Sequence, residues 1–250
     1  MENQFSSAPL ISHLVELKRR LIITIAFFFV AFGVCYAFSE DIYVFLTHPL
    51  ADALGDEQRR MIYTGLTEAF FTYMKLAFFA AVFLSFPMIA TQIYYFLAPG
   101  LYKKEREFII PFLIAAPVLF IAGAAFVFYL IMPLAWKFLL GFESNGEVNG
   151  LPIVLEAKVS EYLSLVMHFM IGFGLSFQMP IILIILAKLG VVHVDWLKRN
   201  RRYALVVIVI VAAILTPPDV ISQIGLASVL YALYEISIIG CRLVTGQKDA

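Results

Sequence analysis

The sequence predicts an all-α integral membrane protein with six transmembrane helices and both termini on the cytoplasmic side. Three observations lead there. Of the 250 residues, 62% are hydrophobic and only 14% charged, and the mean hydropathy is +0.91. A soluble domain of this size has no use for so much apolar surface, so the bilayer is its solvent. Apolar runs recur at about the 20-residue length that a helix needs to cross the hydrocarbon core. Finally, lysine and arginine gather in alternate connections, which fixes direction.

The spans are expected at about 20–37, 69–97, 108–136, 161–187, 203–215 and 221–241, in a single membrane domain covering 1–250. The first follows "HLVELKRRL", with Lys18, Arg19 and Arg20 directly before the apolar run. The segment ahead of Leu21 is too polar, and the run after it too long, for a cleavable signal peptide. Between the first and second spans, "DIYVFLTHPLADAL" spaces Ile42, Phe45, Leu46, Pro49, Leu50, Ala53 and Leu54 as the stripe of an amphipathic helix. This helix, about 41–54, is expected to cap the bundle on the outer surface. Lys103, Lys104 and Arg106 lie between the second and third spans. The connection "GFESNGEVNGLPIVLEAKVSEY" opens with glycine and asparagine and reads as an exposed loop. Lys188, Lys198, Arg199, Arg201 and Arg202 precede the fifth span, and "TPPD" turns it into the sixth.

With Arg242 and Lys248 in the tail, thirteen of the eighteen bases fall on one face. Arg59, Arg60, Lys137 and Lys158 fall on the other, and Lys75 lies just inside the second span. The richer face is cytoplasmic. The fifth span has an apolar run of only about 12 residues, some 18 Å of helix against a core of about 30 Å. Either Arg201, Arg202 and Tyr203 reach the interface, or the bilayer thins around spans five and six. Pro87, Pro111, Pro117, Pro133 and Pro180 lie in or at the ends of spans. Each removes a backbone donor, so kinked helices and a concave assembly are expected.

A net charge of zero speaks against a nucleic-acid binder. Cys35 and Cys241 sit near opposite ends of the span map, too far apart for a disulfide, and no spacing suggests a metal site. There is no Walker sequence, dinucleotide fingerprint or nucleophile–base arrangement, so neither an enzyme nor a cofactor is expected.

Two readings stand for Glu16. In a helix it shares a face with His13 and Arg20, so it is either half of an i, i+4 surface pair or a carboxylate held out for a cationic ligand. Glu105 and Glu107, set among bases, admit the same pair of readings. Gln178 falls inside the fourth span, where its amide needs a partner: a helix–helix contact or a ligand site. Lys75 is read as snorkelling to the interface and His168 as a packing residue. Glu235 is expected to pair with Arg242 or a neighbouring base, and Asp219 to cap a turn.

"HLVELKRRL", "HPLADAL", "GLTEAFFTYMKL", "QIYYFLAPGLYKKER", "GFGLSFQMP" and "LTPPDVISQ" occur in order along nearly the whole chain. Together they resemble the TatC family, the multi-span receptor subunit of the bacterial twin-arginine protein translocase. The resemblance implies a noncatalytic protein of the bacterial cytoplasmic (inner) membrane that binds paired-arginine signal peptides of folded precursors. It implies export driven by the proton-motive force, self-association in a larger complex, contact with membrane lipids, and single-span partners of the TatA/TatB type around spans five and six. By the same resemblance Glu16 and Glu105 receive the arginines, Phe96 lies beside them, and Pro49 belongs to the outer cap. Thr216 and Gln223 are positions for contact with a partner helix. A carboxylate takes a guanidinium through two parallel hydrogen bonds, which an ammonium cannot copy. Surrounding bases discourage capture of every cationic peptide. Two positions depart from the family: Lys18 stands where arginine is usual, and Gln178 where glutamate is frequent. A small-solute secondary transporter is the alternative; it calls for repeat symmetry and an intramembrane charge, and neither is evident.

Overall fold

A computed structural model describes residues 8–55, 60–97, 103–143, 155–215 and 220–246, with the backbone alone at 8–13, 97, 103–109 and 220–222. Among these residues the architecture is helical throughout. The one exception is a parallel pairing of Ile62 with Lys158, in which Ile62 N–H donates to Ala157 and Val159 N–H to Ile62. The connection before α3 and the one before α6 are thereby tied together, a long-range contact that neither stretch signals in sequence.

The basic stretch is not a separate arm. It belongs to α1 (Ala8–Ala37), which carries on without interruption into the first apolar run. At 30 residues it is roughly 45 Å long, more than a bilayer core requires. Small residues let α1 lie close along α3 (Glu68–Leu97): Ala31 and Cys35 pack against Ala77 and Ala81, all four buried. Phe28 meets Phe78 edge-on at 4.9 Å nearby. The chain turns at Phe38 into α2 (Ser39–Leu54), the expected cap. Leu46, Pro49 and Leu50 are buried, and Ile42, Ala53 and Leu54 half-buried, as the stripe requires. Phe45 is exposed on one side and stacks on Phe128 at 4.8 Å on the other. Tyr162 donates its hydroxyl to the Leu46 carbonyl (2.9 Å), fastening the cap to the start of α6 (Val159–Ser176).

The third expected span begins five residues earlier and ends four later than its hydropathy suggested. It runs as α4 (Lys103–Phe126), a π-helical turn (Val127–Ile131) and α5 (Met132–Leu140). The π turn falls immediately before Pro133. A proline ring there would collide with the carbonyl four residues back, and widening the turn relieves it. The fourth expected span runs from Val159 to Lys188 with one interruption. The chain breaks at Phe177–Gln178 between α6 and α7 (Met179–Lys188), where Pro180 has no N–H to continue the ladder. Pro87, Pro111 and Pro117 lie within unbroken helices, so proline alone did not say which span would break.

A short α8 (Val194–Arg199) leads to α9 (Arg201–Leu215) and α10 (Val220–Thr245), which runs four residues past the expected end. Among the described residues, five helical stretches have the length and apolarity to cross a membrane: Leu14–Ala37, Glu68–Phe96, Ile110–Leu140, Val159–Lys188 and Gln223–Thr245. At 15 residues, roughly 22 Å, α9 is the short element the sequence pointed to.

Phe120, Phe169, Phe173, Leu163, Val166 and Leu226 are fully buried, and α4 packs along α6 while α10 packs along α7 and α9. Glycines bring the helices close. A Cβ on Gly123 would stand 2.7 Å from the Phe173 carbonyl oxygen, and one on Gly174 2.7 Å from the Phe120 ring. Both cysteines are buried and free. His168, expected to pack, is exposed, with its Nδ1 2.6 Å from the Ser164 carbonyl of its own helix.

Candidate functional site

The first turns of the apolar part of α1 lie against the last turns of α3. Four residues on one helix face bring Glu16 and Arg20 together. Arg20 donates Nε (3.2 Å) and Nη2 to the same oxygen, Glu16 Oε1. Its guanidinium also sits over the Tyr95 ring, 5.4 Å from Cζ to the centroid. Phe96, half-buried, is the next residue along α3. The i, i+4 surface pair is therefore present, and through Tyr95 its guanidinium also reaches a second helix.

Glu105 stands on the first turn of α4, which packs beside α3. Its side chain, with those of His13, Lys103, Lys104, Arg106 and Glu107, lies outside the described residues. Of the expected receptor positions, Glu16 is bonded to Arg20, whose guanidinium lies over Tyr95, the residue before Phe96. Glu105 follows Phe96 within nine positions along the chain.

At the other end of α3, Glu68 holds a set of contacts that no sequence pattern fully announced. Its Oε2 accepts the backbone N–H of Thr64 (2.9 Å) and Gly65 (3.1 Å), and the Thr64 hydroxyl. Its Oε1 accepts the Ser160 hydroxyl at 2.5 Å, and Lys158 Nζ stands 3.8 Å from Oε2. The backbone half of this resembles a capping box, with Glu68 three residues after Gly65 ahead of an apolar run. The Ser160 half, 92 positions distant, has no local signal.

Gln178 is buried at the break between α6 and α7. Its own N–H turns to the Leu175 carbonyl. The side-chain Nε2 donates to Gly174 (3.3 Å) and across to Ala116 on α4 (3.1 Å). The helix–helix reading holds for this amide, and neither bond could be made by an ionised carboxylate.

At the far end of α10, Glu235 pairs with Arg201 of α9 (2.8 Å), the neighbouring-base alternative to Arg242. Tyr234 donates to the Leu197 carbonyl (2.8 Å), joining α8 to the same corner. Gln223 is half-buried near the start of α10, while Thr216 and Asp219 lie outside the described residues. Pro49 is in the buried face of the cap, and Lys75 is exposed on α3. Among the described residues no group of three or more His, Cys, Asp or Glu could hold a metal ion.

Comparison with known proteins adds the lineage. A family model described as Sec-independent protein translocase protein (TatC) matches residues 12–228. The Sec-independent protein translocase protein TatC of Rickettsia prowazekii (strain Madrid E) is 50% identical over 232 residues, covering 93% of this chain and 92% of that protein. Its namesake from Escherichia coli (strain K12) is 37% identical over 239 residues, covering 96% and 90%. A crystal structure of the twin arginine translocase receptor TatC superposes with a TM-score of 0.78 at 34% identity, covering 93% of this chain and 99% of that one. A multi-pass membrane protein built on this helical plan and matched along nearly its whole length, the chain belongs to the TatC family of Sec-independent protein translocase proteins.

Proposed function

We propose that this chain is the noncatalytic receptor and assembly core of a twin-arginine export machinery. It binds the paired-arginine signal peptides of folded precursors and recruits single-span TatA/TatB-type subunits. One observation carries this reading. Arg20 joins Glu16 on α1 to Tyr95 on α3, so the carboxylate of the N-terminal motif and the aromatic end that includes Phe96 form one surface. Glu105 stands on the first turn of α4, which packs beside α3. A carboxylate beside an aromatic face suits a guanidinium, which takes two parallel hydrogen bonds and stacks on a ring.

In this reading the chain crosses the bacterial cytoplasmic membrane six times with both termini inside, α9 serving as a short fifth crossing. The distribution of lysine and arginine supports that direction. Thr216 and Gln223 contact a partner helix at spans five and six, and Gln178 has a neutral, structural role. The relatives carry translocase names, which does not favour the small-solute transporter alternative.

Binding of a synthetic twin-arginine signal peptide to the detergent-solubilised protein, against its Lys-Lys counterpart, tests the proposal. Arg-Arg is expected to bind more tightly, and Glu16→Gln and Glu105→Gln each to erode that preference. One charged hydrogen bond contributes about 1.5–3 kcal/mol, or roughly tenfold and more in affinity. Equal binding of the two peptides, unmoved by either substitution, would refute it.

A further inference from the structure

Resting on the receptor reading above, we infer that Arg20 is an internal ligand: the arginine site made by Glu16 and Tyr95 is filled by the chain's own guanidinium, and an incoming arginine enters by exchange with it. An i, i+4 Glu–Arg pair can form on any helix surface and by itself means little. Here the guanidinium also lies over an aromatic ring supplied by a different helix, α3. It is held from two sides, by a carboxylate and by a π face, the two groups best suited to recognise a guanidinium. Glu16 is about one-third exposed and Arg20 about one-fifth, so the pair is reachable from solvent without being fully hydrated.

The bonding pattern shows what exchange requires. Both Arg20 donors converge on Glu16 Oε1. A fork-to-fork complex with an incoming arginine uses both carboxylate oxygens. Such a ligand cannot complete its fork, or reach the Tyr95 face, while Arg20 stays in place. A lysine ammonium needs one oxygen and no ring, so it meets far less of this obstruction. Arg20 therefore weakens binding of arginine in particular. The consequence for the cycle is release: when the peptide leaves, Arg20 returns, and the carboxylate is never left without a partner.

The test compares twin-arginine and Lys-Lys peptides on the full-length purified protein with Arg20→Gln and Arg20→Lys. Arg20→Gln is expected to tighten Arg-Arg binding roughly three- to tenfold, the scale of an exposed ion pair plus a cation–π contact, and Lys-Lys binding by less. Arg20→Lys keeps the charge but loses the fork, and is expected to tighten Arg-Arg binding by a smaller factor. An equal gain for both peptides would reduce Arg20 to a net-charge effect and overturn the inference. So would unchanged or weaker Arg-Arg binding in variants that melt at the parent temperature. If Arg20→Gln does not fold, Arg20→Lys decides alone by the same criteria. Glu16→Gln separates the two levels: if it leaves Arg-Arg binding intact, the receptor reading fails. If it erodes binding while the Arg20 variants gain nothing, only the exchange fails.

Discussion

Replacing Gln178 by methionine keeps the length and bulk of the side chain and removes its two donated hydrogen bonds. The Gly174 and Ala116 carbonyls would lose the amide that now reaches both. Side-chain hydrogen bonds between membrane helices average about 0.6 kcal/mol and reach about 1.7. Two of them at a buried site give an expected loss of roughly 1–3 kcal/mol. For a chain of this size each kcal/mol moves the melting temperature by about 2–4 °C. Thermal unfolding in detergent should therefore show Gln178→Met melting lower by roughly 2–12 °C. Gln178→Glu sharpens the test, because an ionised carboxylate can only accept and both neighbours are carbonyls, whereas the protonated acid has one hydrogen to donate. That variant should melt below the parent in alkaline buffer and recover part of the loss in acidic buffer. A Gln178→Met protein that melts with the parent would refute the reasoning, since the amide could not then be joining α4 to the α6–α7 break.

Glu68→Gln should loosen the corner between α3 and α6, because one amide cannot accept on both ends as the carboxylate does. A loss of about 1–3 kcal/mol, with faster proteolysis between α2 and α3, is the expected outcome, and Ser160→Ala should give part of it. Gly123→Ala should destabilise more than Gly240→Ala: the new methyl at 123 meets the Phe173 backbone oxygen at 2.7 Å, whereas at 240 it meets only the flexible end of Ile184 at 2.5 Å. Comparative melting ranks the two, and the reverse order would sink the argument. Ala77→Leu adds bulk to the closed α1–α3 contact and is expected to weaken signal-peptide binding as well as stability. Intact binding in that variant would show that the site tolerates a shift of α1.

Apolar length was enough to place the long helices, because a bilayer leaves a chain few other options. The cap was legible for the same kind of reason: a stripe at helical spacing buries Leu46, Pro49 and Leu50 wherever a core is offered. What sequence could not rank was proline. Pro117 and Pro180 look alike in a hydropathy profile, yet the helix breaks only before Pro180, where Gln178 can bind the carbonyl that the break releases. Long-range partners were equally silent. Glu68 signals a helix start to its local neighbours, but nothing near it names Ser160. The candidate site was half legible: the spacing of Glu16 and Arg20 predicts their pairing, whereas Tyr95 comes from another helix and only the fold brings it there.

The close contact of α1 with α3 ties these observations to the site. A helix floating in lipid has no hydrophobic reason to choose one neighbour over another, so small residues and backbone approach decide the register. Ala31, Cys35, Ala77 and Ala81 provide that approach. From Ala77 to Tyr95 is 18 positions, or about 27 Å of helix. Over that length a small tilt of α1 is enough to part Arg20 from the ring. At the start of α3 the Glu68 cluster fixes the helix to α6 through Ser160. An arginine site divided between two helices works only if both are held at a distance from it. If the proposed receptor reading holds, the buried alanines and the Glu68 cluster serve recognition as well as stability, although none of them lies where a signal peptide is proposed to bind.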